Sequence, residues 1–236
     1  MTHPIALVTG ASKGIGAAIA QRLTADGHRV LRVSRGPCEG EHVQADVSTE
    51  AGRDAIVEAV AALGRLDVLV HNVGTNVRQP TAEMSAETFE HIWGTNTRPT
   101  FELARRLYPH LKAAGADGGA SVVHVSSVAS ARTVRTSSAA YAMSKGAVEA
   151  LTRFLAVEWA ADGIRVNTVA PWYVRTPLVE EVLSNPAKLA SVLDRTPLGR
   201  VGEPEDVAEA VAFLSRARWV TGVWLPVDGG FMALGS

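Results

Sequence analysis

Ile5-Ala-Leu-Val-Thr9-Gly10-Ala-Ser12-Lys13-Gly14-Ile15-Gly16-Ala17-Ala-Ile-Ala-Gln-Arg-Leu23 decides how the chain is organised. A short apolar run, a glycine turn and a run with helical spacing follow one another in the order strand, turn, helix. Such a turn lets a diphosphate approach the main chain closely and aims backbone amides and the positive end of a helix at it. The spacing Gly10-x3-Gly14-x-Gly16, with Ser12, Lys13 and Ile15 between the glycines, predicts a phosphate site. A purely structural glycine turn is the competing reading.

Outward from this stretch, short β-branched runs alternate with longer amphipathic ones, near residues 5–9, 29–34, 42–45, 67–71, 120–126, 164–170 and 223–227. That alternation predicts an α/β fold, a doubly wound parallel seven-stranded sheet with helices on both faces. No repeat or linker interrupts it, so residues 1–236 are expected to form one domain. With 47% hydrophobic and 20% charged residues and a formal charge of -1, the composition is globular and gives no basic face for nucleic acid or an anionic membrane. The single cysteine, Cys38, rules out an internal disulfide and fits a reducing compartment. The N-terminus lacks a signal-peptide pattern and no apolar run reaches the ~20 residues of a membrane span, so a cytoplasmic protein is expected.

The remaining polar positions suggest chemistry. At the end of the second strand an acid would read the ribose of NAD, and a base the 2′-phosphate of NADP. Here stand Ser34 and Arg35, with Lys13 as a second cation, so NADP(H) is expected over NAD(H); a solvated loop arginine is the alternative. Residues 36–45, with Gly36, Pro37 and Gly40, leave no room for a crossover helix before Asp46 and Val47, and a loop is expected. Asp46 could receive an adenine amino group or serve the next helix, for which Ser48 or Thr49 is the expected cap. Asn72-Val-Gly74 ends the fourth strand, where an open parallel sheet places its ligand crevice. Asn96 falls in a long helical stretch, 85–114, and its amide is expected to meet either neighbouring backbone or a water. Ser126 and Ser127 end the fifth strand, while His124 reads as a packed strand residue. Arg132 and Arg135 follow in a polar loop, as solvated arginines or as a substrate mouth. Tyr141 and Lys145 lie four apart in a helical run, one above the other, where a cation favours the phenolate and suits a general acid/base. No metal site is expected.

Taken together, Thr9-Gly-x3-Gly14-x-Gly16, Asn72-x-Gly74, Asn96, Ser127, Tyr141-x3-Lys145 and Pro171-x3-Arg175-Thr176 resemble the short-chain dehydrogenases/reductases over essentially the whole chain. Asn72-Val-Gly-Thr-Asn76, Val166-Asn-x-Val-Ala-Pro-Trp172 and Arg195-Thr-Pro-Leu-x-Arg-Val-Gly-Glu-Pro204 look most like the tropinone-reductase-like branch. The resemblance implies a Rossmann domain in which Tyr141 donates a proton to a ketone oxygen while NADPH delivers hydride. It further implies that Ser127 stabilises the oxyanion, that Lys145 depresses the Tyr141 pKa and holds the nicotinamide ribose, and that Asn96 positions a water. Pro171, Val174 and Thr176 would meet the nicotinamide end. The implied substrate is a small ketone, cyclic or open-chain, reduced to a secondary alcohol. The alternatives are a 3-oxoacyl-thioester reductase and, less favoured, a non-catalytic nucleotide sensor. Residues 172–200 would form a substrate lid, and a homodimer or homotetramer is implied, with the apolar face of Gly146, Val148, Leu151, Leu155 and Trp159 facing a second subunit or buried within the chain. Three departures stand out: His71 where asparagine is usual, Trp172 where glycine is common, and the short loop after Arg35.

Overall fold

The computed structural model describes residues 3–116 and 119–234. In these, seven strands form one parallel sheet: β1 (Ile5–Thr9), β2 (Arg29–Ser34), β3 (His42–Gln44), β4 (Val68–His71), β5 (Ala120–Val125), β6 (Ile164–Pro171) and β7 (Trp224–Val227), in the order β3-β2-β1-β4-β5-β6-β7. Every residue of β1, β4 and β5 is buried, as expected of strands covered on both faces, which read as continuous rather than alternating apolar runs. Leu7 registers with Leu31 on one side and Leu69 on the other.

Helices cover both faces. On one, α2 (Glu50–Ala61), α4 (Arg98–Gly115) and α5 (Ala139–Glu158) place Ile56, Leu103, Leu107, Leu111 and Leu155 against Leu7, Leu69 and Val122. Each such buried leucine contributes about 1.5–3 kcal/mol over leaving it exposed. On the other, α1 (Gly14–Ala25) and α8 (Pro204–Arg216) pack Ile19, Leu23, Val207 and Val211 against Val8, Val70 and Val123. Among the described residues no helix is long and apolar enough to cross a membrane.

Three details sharpen the sequence reading. The stretch 85–114 is two helices, α3 (Ala86–Asn96) and α4, separated at Thr97; Pro99 lies in the first turn of α4, where a missing N–H costs nothing. Of the two readings of the α5 face, burial within the chain holds for Val148, Leu155 and Trp159, while Phe154 and Val157 on the same helix are exposed. Downstream of β6, the expected lid region holds two short helices, α6 (Glu180–Leu183) and α7 (Pro186–Leu193), with Val182, Leu183 and Val192 packed on Tyr173 and Val201. The connection from β2 to β3 is a loop, as expected, tied back by a backbone bond from Arg32 to Glu41.

Candidate active site

The carboxyl ends of β1 to β6 open into one cavity of about 1090 Å³. It straddles the point between β1 and β4 where the strand order reverses, the place an open α/β sheet offers a ligand. Gly10, Ser12, Lys13, Gly14, Ile15, Ser34, Arg35, Asp46, Val47, Asn72, Gly74, Ser126, Ser127, Tyr141, Lys145, Pro171, Val174 and Thr176 all line it. Of the residues expected there, Gly16 and Asn96 do not.

The glycine turn is built for close approach. Gly10 and Gly14 have φ of +70° and +56°, and a Cβ on Gly14 would meet Thr176 Cγ2 at 3.1 Å. Gly16 serves packing: a Cβ there would overlap the Gly10 carbonyl oxygen at 2.2 Å and Asn72 Nδ2 at 2.5 Å. Asn72 ties the turn to β4, its amide donating to the Thr9 and Gly10 carbonyls at 3.1 and 3.3 Å. No side chain caps α1 at Lys13, and Lys13, Gly14 and Ile15 line the cavity, so the uncapped, electropositive end of that helix lies at its wall. This cradle and the cavity's size fit a dinucleotide.

At the far end of that cradle the Arg35 side chain is 82% exposed and 4.0 Å from Asp46 Oδ2. The Ser34 hydroxyl donates to the Gly36 carbonyl at 2.6 Å. Asp46 Oδ1 accepts from the Ser48 amide and hydroxyl, while Thr49 caps α2 by accepting from the Gly52 amide at 3.0 Å. Asp46 therefore does not cap the helix, and its Oδ2 faces Arg35.

The reactive end is set by α5. Ser138 caps that helix, accepting from the Tyr141 amide at 3.3 Å, so the tyrosine stands on its first turn. Tyr141 shares the cavity wall with Ser127; burial raises the phenol's pKa, against the lowering effects of the neighbouring Ser127 hydroxyl and the Arg78 charge. Lys145 is buried, donates from Nζ to the Val125 carbonyl at 2.9 Å, and lies 5.8 Å from the Tyr141 ring centroid. Burial pulls its pKa down to about 8, with the Glu149 carboxylate opposing. Arg78 adds a second cation that lowers the phenol's pKa, while the Lys145 ammonium stands beside the Tyr141 ring.

Asn96 lies behind the wall. Its Oδ1 accepts from the Thr75 amide at 2.8 Å, and its Nδ2 donates to the Thr75 carbonyl and Ser144 Oγ at 3.0 and 2.9 Å. Its side chain thus meets backbone and serine, the first of its two readings, and pins the Thr75 segment beside Lys145. Ser126 faces inward, donating to the Lys145 carbonyl and to Glu149 Oε1 at 3.2 and 3.1 Å. Ser130 bonds the same carboxylate oxygen, so Glu149 anchors both flanks of Ser127.

Arg78 was not singled out by the sequence; an arginine six residues past Asn72 carries no local signal that it reaches the cavity. Arg132 instead donates to the carbonyls of Phe231 and Leu234 at 3.1 and 2.8 Å, fastening the C-terminal segment, and Arg135 is exposed outside the cavity wall. Trp172 combines both of its readings: it lines the cavity and stacks on Phe231 at 3.7 Å, with Nε1 donating to Thr196 Oγ1 at 3.1 Å.

Residues 10–232 match a family model described as enoyl-(acyl carrier protein) reductase. A tropinone reductase homolog of Arabidopsis thaliana is 43% identical over 98% of this chain and 92% of its own length. A second Arabidopsis homolog, chloroplastic, is 42% identical over 95% of this chain and 74% of its own. A gluconate 5-dehydrogenase of Burkholderia cenocepacia, solved with NADP and tartrate, superposes with a TM-score of 0.91 at 29% identity, covering 100% of this chain and 97% of that one. A Thermus thermophilus protein gives 0.92 at 36% identity over 99% and 100% of the two chains.

Proposed function

The chain belongs to the short-chain dehydrogenase/reductase family of oxidoreductases, and on that footing we propose that it reduces a small ketone, cyclic or open-chain, to a secondary alcohol with NADPH. The observation that carries the reading is that Ser127, Tyr141 and Lys145 stand in the wall of the same cavity that begins at the glycine turn. When bound, the nicotinamide supplies a hydride to the carbonyl carbon. Tyr141, kept protonated at neutral pH by its raised pKa, gives its phenolic proton to the developing alkoxide. Ser127 holds the carbonyl oxygen and its growing charge. Lys145 has three N–H donors, one directed at Val125, and the others suit the nicotinamide ribose hydroxyls. Asn96 keeps Thr75 and Gly74 against Lys145.

The NADPH preference rests on Arg35, on Lys13 in the turn and on the absence of a carboxylate at the end of β2; Asp46 is the one acid among the described residues of the cavity wall. Helices α6 and α7 act as the lid, and the protein is a cytoplasmic homo-oligomer, for which exposed Phe101, Phe154, Val157 and Trp219 supply apolar contact surface.

The test is loss of reduced-nicotinamide absorbance with NADPH and, separately, NADH, against cyclic ketones, diketones and a 3-oxoacyl thioester. Turnover of ketones with NADPH preferred is expected, and Tyr141→Phe is expected to lower kcat by roughly 10²–10⁴-fold. Reaction of the thioester alone would establish the acyl-thioester alternative. Cofactor binding with no turnover, before or after that substitution, would mark a sensor.

A further inference from the structure

The charge at the substrate end of the cavity is one-sided. Arg78, Tyr141, Ser127, Trp172 and Tyr173 share that wall, and the wall's one described acid, Asp46, is engaged with Ser48 and Arg35 at the adenosine end. Arg78 is only 26% exposed, and its hydrogen-bond partners are neutral: Nε donates to the Thr136 carbonyl at 3.0 Å and Nη2 to the Leu178 carbonyl at 3.1 Å. These bonds orient the guanidinium without neutralising it. Its nearest carboxylate, Glu181, lies 4.0 Å from Nη1, is 70% exposed, and shares its charge with Lys188 at 3.0 Å. A solvated acid already paired elsewhere compensates little. A partly buried arginine without a full counter-charge is costly, and its planar fork is suited to a carboxylate.

We propose that the substrate carries a carboxylate or an equivalent anionic group, received by Arg78 at the cleft rim beside Tyr141. The inference rests on the carbonyl-reductase reading and adds the substrate's charge to it. An ammonium-bearing ketone meets Arg78 and Lys145 as like charges and is disfavoured. The Arg78 charge reaching the phenol supports the same placement. The competing role is a latch: the same two bonds join the Thr136 loop to the lid at Leu178.

The two are separated by matched probes: 3-oxocyclohexane-1-carboxylate, its methyl ester, and 4-oxopiperidinium, measured with the wild type, Arg78→Gln and Arg78→Lys. The wild type is expected to favour the carboxylate over the ester in kcat/KM by about 10- to 100-fold, with the cation poorest. Arg78→Gln keeps a donor and loses the charge, and the ratio is expected to fall towards one; Arg78→Lys is expected to keep part of it. A wild-type ratio of one or less overturns the proposal whatever the variants do. A ratio unchanged in Arg78→Gln, with both substrates slowed alike, overturns it in favour of the latch. Calorimetric dissociation constants for the same probes separate this outcome from failure of the reductase reading. A carboxylate preference in binding that Arg78→Gln abolishes, without turnover of any probe, sustains the anion site while the reaction fails; absence of binding by all three overturns the proposal.

Discussion

Lys145 carries the sharpest residue-scale consequence. Its ammonium is lost as pH rises through about 8, whereas Tyr141, raised by burial, remains protonated there. Reductive kcat/KM is therefore expected to decline above about pH 8 on a limb that belongs to the lysine. Glu149 favours the charged lysine, so Glu149→Gln, which can still accept from Ser126 and Ser130, is expected to move that limb to lower pH. A limb that stays in place would show that another group titrates. Gly74 offers a steric counterpart. A Cβ there would stand 3.1 Å from Lys145 Nζ and 3.7 Å from Asn96 Oδ1, so Gly74→Ala must displace the ammonium by a few tenths of an ångström. With misplacement by ~1 Å worth up to 10²-fold, a loss of roughly tenfold in kcat/KM is expected, with the midpoint of urea unfolding nearly unchanged. The motif positions Tyr141, Lys145 and Asn72 were legible because their spacing itself carries information. Arg78 and Glu149 were not, since only the tertiary fold brings one to the phenol and the other to the serines.

At the scale of elements, strands were more legible than helices. Parallel strands buried on both faces stand out as short apolar runs, and the expected runs lie within about a residue of β1 to β7. Helical periodicity is blind to a break that keeps the apolar stripe in phase, so α3 and α4 read as one; a proline just after the break suits a helix start. On α5, apolar residues point both inward and outward, and the pattern alone could not say which face meets solvent. The short helices α6 and α7 form their own apolar cluster, with α7 capped by Asn185, whose Oδ1 accepts from the Lys188 amide at 3.1 Å. Removing that cap by Asn185→Ala costs about 1 kcal/mol of local stability. Amide exchange over 180–193 is expected to quicken several-fold while exchange in the sheet holds, and KM for the ketone is expected to rise. Unchanged exchange in that segment would mean that packing on Tyr173 and Val201 alone holds it.

For the molecule as a whole, His71 turns a local departure into a global property. It pairs in register with His124 across β4 and β5, ring centroids 5.1 Å apart, and both side chains are buried. His124 Nδ1 lies 2.7 Å from Thr152 Oγ1, which also meets Thr168 Oγ1 at 2.7 Å and the Val148 carbonyl at 2.9 Å; Nε2 of each histidine is buried without a partner among the described residues. Burial pushes His71 down to about 3 and His124 well below its ordinary range, with the His71 and Lys145 charges adding to the latter. Both are therefore neutral in the folded protein where the unfolded chain takes up protons, below about pH 6.5. The stability they contribute is present above that pH and is lost as pH falls towards the folded values, by roughly 1.4 kcal/mol per pH unit for each histidine. His71→Asn removes one titrating group from the sheet's centre. Urea midpoints measured between pH 6.5 and 5, before most carboxylates protonate, are expected to fall about half as steeply in that variant as in the wild type. An equal slope in the two proteins would show that the histidine pair does not govern acid sensitivity, and that the carboxylates paired in the fold begin to fail earlier than their ordinary range suggests.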